Sequence, residues 1–152
     1  MAHLDSFWQP PKVTSIKKNT TIILCIDCPY MVVDSATKEI DPGRKTIPVI
    51  KNGRALTPIW AVVEALGGKI EWDSATQKVT ITLKNTTIEL WIGKSIAKVK
   101  GVNTPIDSTN NKVVPEIINS RTMLPLRFIT ENLGCNVQWD GTTQTITITY
   151  GG

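Results

Sequence analysis

The feature that most constrains this fold is that part of the chain occurs twice. Asn52-Gly53-Arg54 and Asn119-Ser120-Arg121 stand 67 residues apart. At the same spacing Pro58 corresponds to Pro125, Glu64 to Glu131 and Leu66-Gly67 to Leu133-Gly134. Trp72-Asp73 likewise corresponds to Trp139-Asp140, Thr76-Gln77 to Thr143-Gln144, and Thr80-Ile81-Thr82 to Thr147-Ile148-Thr149. Thirteen of the 31 positions from 52 to 82 are identical, where background usage would give roughly two. Upstream, Lys18-Asn19-Thr20-Thr21 matches Lys84-Asn85-Thr86-Thr87 at a spacing of 66, so the intervening loop has gained or lost one residue. A fixed period of this kind marks a repeated supersecondary unit. The expected organisation is a linker or leader at 1–17, a first repeat at 18–83 and a second at 84–152.

Each copy reads the same way. Residues 20–26 and 86–92 are rich in β-formers, and Ile88, Leu90 and Ile92 alternate with Glu89 and Trp91. Period two describes a strand with one buried face. An irregular stretch follows, with Gly43 in the first copy and Gly101 and Asn110-Asn111 in the second, and it should contain a second strand. Short apolar strands are expected at 47–50 and 113–118. A helix then begins near Pro58 and Pro125, which suit the first helical position because its N–H has no partner. Ile59, Val62, Val63 and Leu66 share one helical face, and Leu126, Ile129 and Leu133 repeat three of the four positions. Gly67 and Gly134 fall where a left-handed C-terminal cap is wanted. A hairpin closes each copy, with turns at Asp73-Ser74-Ala75-Thr76 and Asp140-Gly141-Thr142-Thr143. The expected class is α+β, a tandem repeat in which each copy packs or curves an antiparallel sheet around one short helix. Trp72, Trp139, Leu66, Leu133, Pro58 and Pro125 are expected to form the repeated core.

Composition excludes several roles. The chain is 41% apolar and 20% charged, as a globular chain is rather than a disordered one. Its net charge of +4 comes from scattered lysines, a solvated mixed surface and not a nucleic-acid footprint. No run approaches the roughly 18 apolar residues that cross a bilayer, so no membrane insertion is expected. Residues 1–16 carry polar side chains and Pro10-Pro11 where a signal peptide needs an apolar run, so any export signal is expected outside the chain. Three cysteines, an odd number, exclude a complete disulfide framework. Cys25 and Cys28 form one C-x-x-C, but a zinc site needs two further ligands. The redox version of the motif opens a helix, whereas here a strand at 22–26 runs into a turn at Asp27, Cys28 and Pro29.

The stretches Ile50-Lys51-Asn52-Gly53-Arg54-Ala55-Leu56-Thr57-Pro58, Glu64-Ala65-Leu66-Gly67-Gly68 and Glu71-Trp72-Asp73 carry a family resemblance. So do residues 118–129 and Val137-Gln138-Trp139-Asp140. They resemble the N-terminal stalk domain of bacterial copper amine oxidases, which recurs in tandem in exported and surface proteins of Gram-positive bacteria. The resemblance covers residues 18–150. It implies an antiparallel sheet curved around a helix, an extracellular or cell-surface location, and a non-catalytic role, with the other domains of a parent protein as partners. This sequence departs from the family where Trp60 faces Arg127 in the alignment, where Ser120 replaces a glycine, and at Cys25 and Cys28.

The resemblance does not imply oxidase chemistry. The oxidases hold copper with three histidines and build a quinone from a tyrosine. This chain has one histidine, His3, and two tyrosines, Tyr30 and Tyr150, neither in the oxidases' Asn-Tyr context. A Ser–His–Asp or Cys–His set would need the same His3. Glu64/Glu131 and Asp73/Asp140 recur at one structural position each, as a helix-surface charge and a turn residue do. No phosphate-binding loop occurs. No enzyme, cofactor or metal is expected. The remaining alternative is a module binding cell-wall or plant polysaccharide through exposed aromatic residues. Trp60 and Trp91 lie off the main apolar stripes, and with Tyr30 they are the expected ligand or interface surface. Packing of Trp60 and Trp91 between the two copies is the favoured reading.

Overall fold

The computed structural model describes residues 19–151, which hold fourteen strands and two short helices. In chain order these are β1 Thr20–Cys25, β2 Tyr30–Val33, β3 Ala36–Glu39, β4 Val49–Lys51, β5 Arg54–Thr57 and α1 Trp60–Ala65. Then come β6 Lys69–Asp73, β7 Lys78–Leu83, β8 Thr86–Trp91, β9 Ile96–Val99 and β10 Val102–Pro105. The chain ends with β11 Glu116–Ile118, β12 Arg121–Pro125, α2 Leu126–Asn132, β13 Asn136–Asp140 and β14 Thr145–Tyr150. All strand pairings are antiparallel. The α+β class is therefore as expected, with the irregular stretches holding two strands each where one was expected.

Three sheets form, in the orders β13-β14-β1-β2-β3, β10-β9-β8-β7-β6 and β11-β12-β5-β4. The first joins opposite ends of the chain. β1 pairs with β14 over six residues, from Thr20 against Tyr150 to Cys25 against Thr145. In the second, β7 pairs with β8 from Lys78 against Trp91 to Leu83 against Thr86, across the 83/84 boundary. The third sheet joins two hairpins through Leu124 against Thr57 and Pro125 against Leu56. Registers recur at the sequence spacing: Ile50 faces Ala55 and Ile117 faces Thr122, while Trp72 faces Val79 and Trp139 faces Ile146. Backbone bonds recur too. Ile26 N–H donates to Gln144 O at 3.0 Å, and Ile92 N–H to Gln77 O at 3.1 Å.

The helices pack as their periodicity requires. Ile59, Val62, Val63 and Leu66 are buried, as are Leu126, Ile129 and Leu133. With Ile22, Leu24, Val79, Ile81, Ile88, Leu90, Ile146 and Ile148 they form one continuous core. α2 touches β13 of one five-stranded sheet, β8 of the other, and β5 and β12 of the third. Six- and seven-residue helices are too short to hold in water alone, so this apolar packing is what keeps them formed. Both end in the same capping motif. Gly67 (φ +89°) and Gly134 (φ +93°) turn left-handed. Gly68 N–H then donates to Val63 O and Cys135 N–H to Thr130 O, both at 2.9 Å, which closes the last turn.

Three expectations need correction. Pro58 and Pro125 are buried but neither is the first helical residue. α1 starts at Trp60 with Ile59 as its cap, and Pro125 is itself the cap of α2. Pro125 is also the last residue of β12, paired with Leu56, and Pro58 directly follows β5. Trp72 and Trp139 are not core residues: they keep 38% and 44% of their surface exposed. Both point to the core face, since their cross-strand partners Val79 and Ile146 are buried. However, β6 and β13 are edge strands, so each indole has a neighbouring strand on one side only. Trp60 is the third: expected to pack between the two copies, it keeps 41% of its surface exposed.

Candidate functional site

Of the three aromatic residues expected to form a ligand surface, Trp60 opens α1, Trp91 ends β8 and Tyr30 opens β2. Trp91 is half-buried opposite Lys78, and Tyr30 is exposed opposite Glu39. They stand on three different elements and do not share the cleft described next.

That cleft, of about 280 Å³, opens beside Trp139. Its floor is the buried Leu126, Val137 and Ile146 with half-buried Ala55, and its rim carries the more exposed Ile50, Gly53, Arg54 and Arg127. β4 and β5 supply one wall, the start of α2 the second, and the β13–β14 hairpin the third. Trp139 is therefore a cleft residue. The sequence signal that could have found it is its place at the end of a run of alternating side chains, immediately before the Asp140-led turn. Asp140 holds that turn, its Oδ1 accepting from Thr142 N–H at 2.9 Å, as Asp73 Oδ1 accepts from Ala75 N–H at 3.0 Å.

Three ion pairs tie the halves of the chain together, Lys51 with Glu116 and two more whose residues recur at the repeat spacing. Arg121 grips Asp41 with two bonds, Nε to Oδ2 at 2.6 Å and a terminal N–H to Oδ1 at 2.8 Å. Thr46 hydroxyl donates to the same Oδ2 at 2.6 Å. Burial alone would raise the Asp41 carboxyl. The Thr46 hydroxyl and the Arg121 guanidinium, helped by Arg44, outweigh it and hold the group below the usual carboxylate range. The corresponding pair is reversed: Arg54 Nε lies 2.9 Å from Asp107 Oδ2. Thr109 N–H and hydroxyl hold the Asp107 carboxyl low, with Arg54 adding to the effect. Arg54 and Arg121 stand 67 residues apart, and Asp41 and Asp107 stand 66 apart. Neither pair was anticipated, although both residue types recur at the repeat spacing.

The cysteines behave as their positions suggest. Cys28 N–H donates to Cys25 O at 3.2 Å, closing the turn that follows β1. Both are half-buried, and all three cysteines are free. Burial pushes the Cys135 thiol up to about 11. Among the described residues no group of three or more His, Cys, Asp or Glu side chains is placed to hold a metal ion. His3 lies outside the described residues. Copper held by oxidase-type imidazoles therefore has no donor set among them.

Compared with protein families, residues 44–148 match the model described as copper amine oxidase N-terminal domain. The chain belongs to that family. In it the domain is a non-catalytic, stalk-like module. Neither the curated proteins nor the solved structures gave a match. The copper amine oxidase N-terminal domain match runs from β4 almost to the end of β14, so it includes the Trp139 cleft, Arg54, Asp107 and Arg121. It leaves out β1 to β3 and Asp41.

Proposed function

We propose that the chain is a non-catalytic attachment or assembly module of a larger exported or cell-surface bacterial protein, built from two interlocked copies of the family's unit. The observation that carries this reading is the pairing of β1 with β14, which sets Thr20 beside Tyr150. A chain that enters and leaves at one place projects the module sideways and adds little length to the path. That geometry suits an appendage more than an in-line spacer. The recurrent strand registers and the reversed pairs Asp41–Arg121 and Asp107–Arg54 support two copies, each completing the other.

Two measurements test this. Cells carrying the parent reading frame are fractionated and probed with an antibody against this chain. Antigen in the envelope or medium is expected, and antigen confined to the cytosol overturns the exported location. Purified chain supplied with copper should release no hydrogen peroxide from primary amines. Sustained turnover would refute the non-catalytic role.

A further inference from the structure

The exposed tryptophans fall into an order that neither the family match nor the sequence assigns. Trp139, Ile50 and Arg127 stand at the mouth of the 280 Å³ cleft. Moved by 67 residues, these positions are Trp72, Ile117 and Trp60. The hairpin registers on both walls recur at that spacing. α1 packs on β6 as α2 packs on β13, so Trp60 and Trp72 stand on adjoining elements. All of these apolar residues are exposed: Ile50 46%, Ile117 47%, Trp60 41%, Trp72 38% and Trp139 44%. Tryptophans left so open twice, at matched positions, are not remnants of an incomplete core.

We propose that the Trp139 cleft, seconded by the Trp60–Trp72 surface, binds an acidic polysaccharide, one sugar ring stacking on each indole. The ring class follows from shape: a flat indole over an apolar floor matches the C–H face of a pyranose. The charge follows from the rim. Arg54 and Arg127 carry donors only, and their side chains remain 52% and 58% exposed. Arg127 is held only by Glu131, one turn along the helix at 3.0 Å, an exposed pair that a ligand carboxylate displaces readily. Arg54 lies against Asp107 through Nε, and of its two outer nitrogens one donates to Gly53 O at 3.3 Å. A polymer of repeating uronate rings is the ligand that meets two equivalent indoles on one chain.

The test is titration of the whole chain with polygalacturonate, read by tryptophan fluorescence and by depletion onto insoluble polymer, with neutral galactan and dextran sulfate alongside. Saturable binding of polygalacturonate is expected, weakened about tenfold by Trp139→Ala, the equivalent of roughly one stacking contact. Arg127→Glu, at an exposed helix position, should weaken it similarly, and Trp72→Ala less. Circular dichroism verifies folding, and the Arg127 variant serves if Trp139→Ala does not fold. No binding, or binding that survives both substitutions, overturns the proposal. Equal binding of neutral galactan overturns the charge requirement, and equal binding of dextran sulfate with no dependence on Trp139 reduces the site to surface charge.

Discussion

Arg121→Ala is the most informative single perturbation. It removes two charge-assisted bonds from Asp41, at 2.6 and 2.8 Å, and leaves the carboxylate with Thr46 alone. Asp41 is only 6% exposed, so water entering where the guanidinium stood restores only part of what it supplied. Breaking a fully buried pair costs roughly 3–5 kcal/mol. The Arg121 side chain is 35% exposed, and the Thr46 bond survives, so the expected loss is about 2–3 kcal/mol. Urea unfolding followed by tryptophan fluorescence measures it. Arg54→Ala provides the internal comparison and should cost clearly less, because Asp107 keeps both Thr109 bonds. The pH dependence is fixed in sign. Asp41 titrates below its unfolded value, near 3.9, so the pair's contribution is complete above that value. It fades as pH falls through the folded value, where the protonated carboxyl no longer attracts Arg121. The difference between wild type and Arg121→Ala should shrink across that acid window. A loss under about 0.5 kcal/mol, equal losses at Arg54 and Arg121, or a difference unchanged into acid would refute the reasoning.

Thiol labelling at pH 8 should modify Cys25 and Cys28 in the folded chain and Cys135 only after unfolding, since burial pushes the Cys135 thiol up to about 11. Mass spectrometry reads the count, and rapid labelling of all three would show that Cys135 is open. Gly68→Ala should destabilise the chain by about 1–3 kcal/mol, because its Cβ would lie 2.8 Å from Thr82 O and 3.0 Å from Val63 Cγ1. A neutral effect in thermal unfolding would show that the α1–β7 contact yields easily.

What was legible in the sequence was local. The helix faces at Ile59–Leu66 and Leu126–Leu133, the glycine caps and the Asp-led turns each express a rule spanning only a few residues, and all are present. The partner of each strand was not legible. Thr20-Thr21 and Thr86-Thr87 open strands of the same pattern, so β1 could complete either copy's sheet, and only the three-dimensional closure assigns it to β14. The tryptophans failed for a related reason. Trp72 and Trp139 lie on the core face as alternation requires, yet at the uncovered ends of edge strands. Residue type and periodicity specify a face but not what covers it. The Asp41–Arg121 pair spans 80 residues, and recurrence of its residue types at the repeat spacing was its only trace.

The distance between the two ends of the described chain tests the interlocked, sideways-projecting module most directly. Spin labels are placed at Asn19→Cys and Gly151→Cys, with the three native cysteines replaced and folding verified. Thr20 and Tyr150 are register partners in adjacent antiparallel strands, whose Cα atoms lie about 5 Å apart. The labels should therefore show strong dipolar broadening, at separations below about 20 Å. Two copies arranged in line, each closing its own sheet, would put the labels on the order of 40 Å apart or more. A distribution centred there would contradict the closure on which the proposed role rests.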